Sequence, residues 1–348
     1  MKKLSCFVAN LLALVALPLV AQNPEGMGTK EGLCGSHLDV TQGQDPVPVW
    51  GPLREMGANS PLAKPGEFSN HTFKDGSTSL PYNLYVPEGY DRNKSYPLVV
   101  FVHDAGRIGD DPLASAKLEG AKAWTTPRSQ AQNPCFVLAP QYGSETGSIS
   151  RQDLTLHLIQ AICKEFSIDT RRIYGTGQSM GCMQSMEMAM EHPDLFAACL
   201  LVSGQLDPEK CDALADKELW IVVSEDDQRA FPGMTAVTQY LKGKGAGVAY
   251  ASIPAGLPQE DYQQLADSLI ATGANIKYVS LKAGTLPEEE LSKFKMGPGP
   301  RSNQGNPRQG DSASTRPISA EGAMAHMASF DVIYRIDAFR NWIFTQTK

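Results

Sequence analysis

The chain has 348 residues, a formal net charge of −7 at pH 7, 42% hydrophobic and 20% charged residues. An acidic balance without a Lys/Arg cluster excludes a nucleic-acid footprint. The length suits one large α/β domain or two small ones.

The first segment is read as a leader. Lys2 and Lys3 precede an apolar run from Leu4 to Val20, which closes on Ala21 before the polar Gln22-Asn23-Pro24. A charged start, an apolar middle and a small residue at the end are the marks of a secretory signal, here residues 1–21. Asn10 and Pro18 interrupt the run, which is short for a membrane span of about 20 residues. Cys6 lies within the run rather than at its end, which argues against a lipid-anchored protein. Cleavage removes two lysines and no acids, taking the charge from −7 to −9. No later stretch reaches spanning length, so the expected product is secreted or periplasmic and free of the membrane.

Residues 22–65 are rich in Gly, Pro and Asn without a sustained period and read as an N-terminal arm. Residues 66–348 then alternate strand-like and helix-like runs. The strands expected in chain order are 70–73, 80–86, 96–103, 135–140, 172–175, 196–202, 219–223 and, last, 278–281. Short apolar runs without polar alternation suit strands covered on both faces. Helical spacing appears over 153–166, with Leu154, Leu158, Ile159, Ile162 and Phe166 in register, and again over 180–191 and 261–271. A closing helix is expected over 332–345, with His326 just before it. This alternation predicts an α/β fold with a mostly parallel, doubly wound sheet and helices on both faces. Residues 296–317 break the rhythm with Gly, Pro, Ser, Asn and Arg, and read as a low-complexity insertion, either passive or forming one wall of the site. Six cysteines lie beyond the leader at wide spacings, with no CxxC and no metal-ligand pattern. Neither a metal nor a cofactor is expected.

The chemistry begins at Gly177-Gln178-Ser179-Met180-Gly181, a G-x-S-x-G pattern between a strand and a helix. That context holds a serine on a sharp elbow, with small residues where side chains would collide. Serine is a weak nucleophile at neutral pH and needs an adjacent base. Of six histidines, only His192 and His326 follow Ser179. His192 sits at a helix end and precedes every candidate acid, which leaves His326 as the base. After the strand 219–223 come Glu225, Asp226 and Asp227. Asp227 is the preferred acid, with Asp226 the competitor and Glu225 behind it. An acid there holds the imidazole in one tautomer and stabilises the imidazolium. The oxyanion donors expected are the backbone N–H groups of Met180 and of Ala105, with Gly106 as the alternative to Ala105. His103 is given a structural role beside them. The Met residues of 180–190, Trp220 and Trp342 are read as core.

The runs LPYNLYVPEGYDRNKSYPLVVFVHDAG, RRIYGTGQSMG and AHMASFDVIYRIDAFRNWIF resemble secreted α/β-hydrolases related to polyhydroxyalkanoate depolymerase-like and feruloyl-type esterases. They are similar also to prolyl oligopeptidase-like catalytic domains. The resemblance spans roughly residues 66–348 and implies the α/β-hydrolase fold, with nucleophile, acid and base on Ser179, Asp227 and His326. It implies a carboxylic ester hydrolase acting on a small-molecule or polymer ester through an acyl-enzyme. A serine peptidase and a non-catalytic binding protein of the same fold are the alternatives. Such relatives usually read His-Gly where this chain has His103-Asp104, so a carboxylate stands beside the expected oxyanion site. It would oppose the oxyanion, or else meet a cationic part of the substrate.

Overall fold

Strand patterning decides the architecture. Along β3 (Tyr96–Val102), Leu98, Val100 and Val102 join one apolar cluster while Val99 and Phe101 join another, as the two-residue period of a strand requires. Both faces of the sheet are therefore covered. The computed structural model describes residues 65–144, 149–294 and 319–348. The expected leader, all but the last residue of the arm, and the 296–317 insertion lie outside the described residues.

Among the described residues nine strands form one sheet. With β3 they are β1 (Phe68–Asp75), β2 (Thr78–Tyr85), β4 (Phe136–Pro140), β5 (Ile168–Gln178), β6 (Ala198–Val202), β7 (Leu219–Ser224), β8 (Val248–Ile253) and β9 (Ile276–Leu281). The order is β1-β2-β4-β3-β5-β6-β7-β9-β8. β1 pairs antiparallel with β2 and β2 antiparallel with β4, and every other pair is parallel. This is the mostly parallel sheet of the α/β-hydrolase fold. Because β4 flanks β3 on one side and β5 on the other, the winding reverses between β3 and β5. Such a switch point opens a crevice at the strand ends, where ligands bind in open α/β sheets.

The helices are α1 (Glu119–Lys122), α2 (Pro127–Gln132), α3 (Arg151–Glu165), α4 (Met180–Glu191), α5 (Ala230–Gly243), α6 (Gln259–Ile270), α7 (Glu288–Ser292), α8 (Ala320–Tyr334) and α9 (Asp337–Ile343). Side chains of α3, α4 and α5 pack on one face of the sheet, and those of α6, α8 and α9 on the other. Met186 and Met188 are fully buried on the α4 side. On the opposite side Trp220 meets Phe339 at 4.9 Å and Trp342 at 5.3 Å between ring centroids. These aromatic contacts fasten α9 to the sheet. Among the described residues no helix is long and apolar enough to cross a membrane. Cys135, Cys163, Cys182, Cys199 and Cys211 are free thiols, and burial pushes those of Cys135 and Cys199 up to about 12.

Three expectations about elements need correction. β8 was not anticipated. It is the edge strand, only Ala249 of it is buried, and its sequence VAYASI has the weak pattern of a half-exposed edge. α5 was also missed; Pro232 and Gly233 in its first turn weaken the helical pattern, although Pro is tolerated there. The single closing helix over 332–345 is in fact two: α8 ends at Tyr334 and α9 starts at Asp337. Ile336 between them is extended, at φ −81° and ψ 101°. The Gln259 amide donates to the Arg335 carbonyl at 3.0 Å and accepts from the Asp337 N–H at 3.0 Å. One distant side chain thus satisfies both backbone groups that the break exposes.

Candidate active site

Ser179 follows β5 and occupies the N-cap position of α4 with φ 53° and ψ −117°, a conformation costly for a residue with a Cβ. The turn is held from both sides: the Ser179 N–H donates to the Val202 carbonyl at 3.0 Å, and its carbonyl accepts from the Met183 N–H at 3.1 Å. The two flanking glycines are there for close approach. A Cβ on Gly177 would stand 2.3 Å from the Gly181 carbonyl, and one on Gly181 would stand 1.9 Å from the carbonyl oxygen of Val102. Neither obstacle is a flexible side chain. Gly181→Ala is therefore expected to destabilise the fold by at least about 3 kcal/mol, the upper end of ordinary overpacking costs. The urea midpoint is the check; a midpoint equal to wild type would contradict this packing of α4 on β3.

The serine hydroxyl lies 2.9 Å from Nε2 of His326, and Nδ1 of His326 lies 2.5 Å from Oδ2 of Asp227. A carboxylate only accepts, so Nδ1 carries the proton and Nε2 is left to accept from the Ser179 hydroxyl. Asp227 is 2% exposed, at the turn after β7, and its Oδ1 accepts from the N–H groups of Arg229 (3.1 Å) and Ala230 (2.9 Å). The other two carboxylates of the turn point elsewhere. Asp226 accepts from the Gly284 N–H at 2.8 Å, and Glu225 from the hydroxyls of Ser252 (2.6 Å) and Ser280 (2.7 Å). Three side chains from three separate segments thus form one hydrogen-bonded line at the switch point.

His326 does not precede the closing helix, as expected from the sequence, but sits inside α8, with the Phe330 ring one turn on at 4.8 Å. The helix start is anchored to the acid turn. Gln228, next to Asp227, donates from its amide to the Ser319 hydroxyl at 2.8 Å and accepts from the Ser319 N–H at 3.1 Å. The Ser319 hydroxyl accepts from the Gly322 N–H at 3.0 Å and so caps α8. Sequence reading missed this anchor; the available signal was a serine ahead of the Ala/Met-rich run. Ser329 adds a second tie, donating to the His326 carbonyl at 2.8 Å and lying 3.2 Å from the Ser203 hydroxyl. His192 caps the C-terminal end of α4, away from this line of contacts.

The start of α4 and the turn after β3 carry the remaining candidates. Met180 is the first residue of α4, and Ala105 is the first residue of a 3-10 turn, Ala105–Arg107. No carbonyl of its own helix reaches a donor in that position. The Gly106 N–H, the alternative to that of Ala105, is committed to Oδ1 of Asp104 at 2.9 Å. His103 is fully buried; its Nδ1 donates to the Asp104 carbonyl at 2.7 Å and its Nε2 accepts from the Tyr142 N–H at 3.0 Å. Burial holds its pKa below the usual histidine range, which keeps the ring neutral. A cavity of about 300 Å³ opens alongside, lined by Asp104, Gln178, Leu118, Phe294, Met327 and Phe330 among others. Gln178 precedes the serine and Met327 follows the histidine in the chain, while Ser179 and His326 themselves are not among the lining residues.

The fold is that of the α/β-hydrolases, and the arrangement at its switch point has serine-hydrolase geometry. Known proteins are similar over part of the chain. A family model described as "Putative esterase" matches residues 77–249. The chain is 25% identical over 137 residues to Acetylxylan esterase A of Aspergillus awamori, covering 38% of this chain and 44% of that protein. It is 29% identical over 180 residues to "Probable feruloyl esterase C" of Aspergillus terreus, covering 50% of this chain and 65% of that protein. A solved structure described as a thermostable esterase is similar, with a TM-score of 0.57 and 24% identity over 81% of this chain and 63% of that one. The matches thus span roughly half the length of these curated relatives, and the structural likeness bears on the fold.

Proposed function

We propose that this protein is an exported serine esterase. The single observation that carries the reading is the line from the Ser179 hydroxyl through His326 to Asp227, at 2.9 Å and 2.5 Å. In the proposed reaction His326 takes the proton of Ser179 as the hydroxyl attacks an ester carbonyl. Asp227, unable to donate, stabilises the imidazolium that forms. The N–H groups of Met180 and Ala105 receive the oxyanion, helped by the positive end of α4. His326 then returns the proton to the leaving alcohol, giving an acyl-enzyme. Water, deprotonated by the same histidine, releases the acid. Likeness to an acetylxylan esterase and a feruloyl esterase supports an acetyl or aromatic acyl group carried on a carbohydrate. Export rests on residues 1–21.

A panel of acetyl and feruloyl esters beside peptide anilides tests the reading. Ester turnover well above anilide turnover is expected. Rapid anilide cleavage with negligible ester turnover would replace esterase by peptidase, and a well-folded protein inert to every substrate would favour a binding protein.

A further inference from the structure

Asp104 is a carboxylate 2% exposed, directly before the Ala105 N–H. No Lys, Arg or His side chain forms an ion pair with it among the described residues. A buried charge with no counter-ion is unfavourable unless hydrogen bonds satisfy it. Here two neutral donors do so. The Gly106 N–H donates to Oδ1 at 2.9 Å, and the Gln178 side-chain amide donates to Oδ2 at 2.9 Å. Gln178 is 3% exposed, is the last residue of β5 and is bonded to Ser179. The carboxylate therefore ties the turn after β3, with Ala105, to the elbow after β5, with Ser179 and Met180, just beyond the last pairing of the two strands at Val102 and Gly177.

We infer that Asp104 and Gln178 are positioning residues, which fix the Ala105 N–H relative to the Met180 N–H and thereby shape the oxyanion site. The inference rests on the esterase reading. Asp104 acts twice: its Oδ1 folds the 3-10 turn and withdraws Gly106 as a donor, and its Oδ2 sets the turn's distance from the elbow. Neither residue touches the reacting atoms. The benefit must outweigh the repulsion between a carboxylate and a developing oxyanion, and fixed donors provide it, because their geometry costs nothing at the moment of reaction.

The test is a polarity swap. Gln178→Glu sets two carboxyls face to face. At low pH the introduced carboxyl is protonated and donates to Asp104 as the amide did. Like charge raises its pKa, and above that value the proton leaves and the two groups repel. We expect kcat to fall about 10²-fold at neutral to alkaline pH, the effect of an ångström-scale misplacement, with KM little changed. A new alkaline limb should cross the plateau of the wild type. The double variant Asp104→Asn with Gln178→Glu restores the bond with its direction reversed. The asparagine oxygen still accepts from Gly106, its NH2 donates to the new carboxylate, and the pair keeps one negative charge. It should recover most of kcat and the flat plateau. Other charged groups share the cavity: Arg107 of the same turn, Lys117, Glu119 and Lys122 in or near α1, Lys293 beyond α7, and Asp331 and Arg335 in or near the end of α8. All are unchanged in both variants, so recovery assigns the limb to the pair. An unaltered plateau in Gln178→Glu would overturn the inference and leave the esterase reading standing. So would equal losses in single and double variants with flat pH profiles. Should Gln178→Glu not fold, Gln178→Leu removes the bridge alone and should lower kcat at all pH values; wild-type kcat in it would overturn the inference too. A wild type without ester turnover would instead remove the reading beneath it.

Discussion

Ser179→Ala is expected to lower kcat on the order of 10⁶-fold while leaving the thermal midpoint close to wild type. The size follows from the elbow. The serine hydroxyl is the only group of the line that can bond to the acyl carbon, and the backbone around it, not its side chain, holds the turn. The Ser179 N–H to Val202 and the Met183 N–H to the Ser179 carbonyl are backbone contacts that alanine keeps. Residual turnover would come from the N–H donors and from binding. Steady-state kinetics on the best ester of the panel, with a melting curve, is the measurement. Loss of activity accompanied by loss of fold would leave the role undecided in this variant alone, so Ser179→Cys, close in shape, serves as a second probe.

The second large effect belongs to Asp227→Asn, with kcat reduced about 10⁴-fold. The direction can be derived from the contacts. Two backbone N–H groups, of Arg229 and Ala230, point at Oδ1 and will fix the amide oxygen of asparagine there. Its NH2 then faces Nδ1 of His326 as a donor. The imidazole must turn to the tautomer with its proton on Nε2, where it can no longer accept from Ser179. Asp226→Asn makes the contrast. Its carboxylate holds the Gly284 N–H at 2.8 Å and not the imidazole, so kcat is expected to change little. The reverse pattern, with Asp226→Asn inactive and Asp227→Asn active, would move the acid one residue back.

Most of the sheet was legible in the sequence because its strands are buried on both faces and therefore read as unbroken apolar runs, as in VVFV of β3 and LWIVV of β7. β8 was not, because an edge strand has water on one side and its neighbour on the other, so its pattern is weak. The serine elbow was legible for a different reason: two glycines forced by backbone contacts at 2.3 Å and 1.9 Å leave a fixed spacing in the chain. The choice among Glu225, Asp226 and Asp227 rested on turn length alone. What separates them is which oxygens meet Ser252, Ser280, Gly284 or His326, and no local pattern encodes those partners. The same holds for the helix around His326. Its start depends on Gln228 and its end on Gln259, both far away in sequence. Asp104 was flagged from the sequence as a charge in an awkward place, but its two partners, which turn it into a tie, appear only in three dimensions.

The most direct test of the central claim is to treat the folded protein with a fluorophosphonate, digest it and locate the adduct by mass spectrometry. One equivalent on the peptide bearing Ser179 is predicted, with labelling much slower in His326→Ala. An adduct on a different serine, or a native protein that stays unmodified under conditions that label a control esterase, would contradict the claim that this hydroxyl is an activated nucleophile.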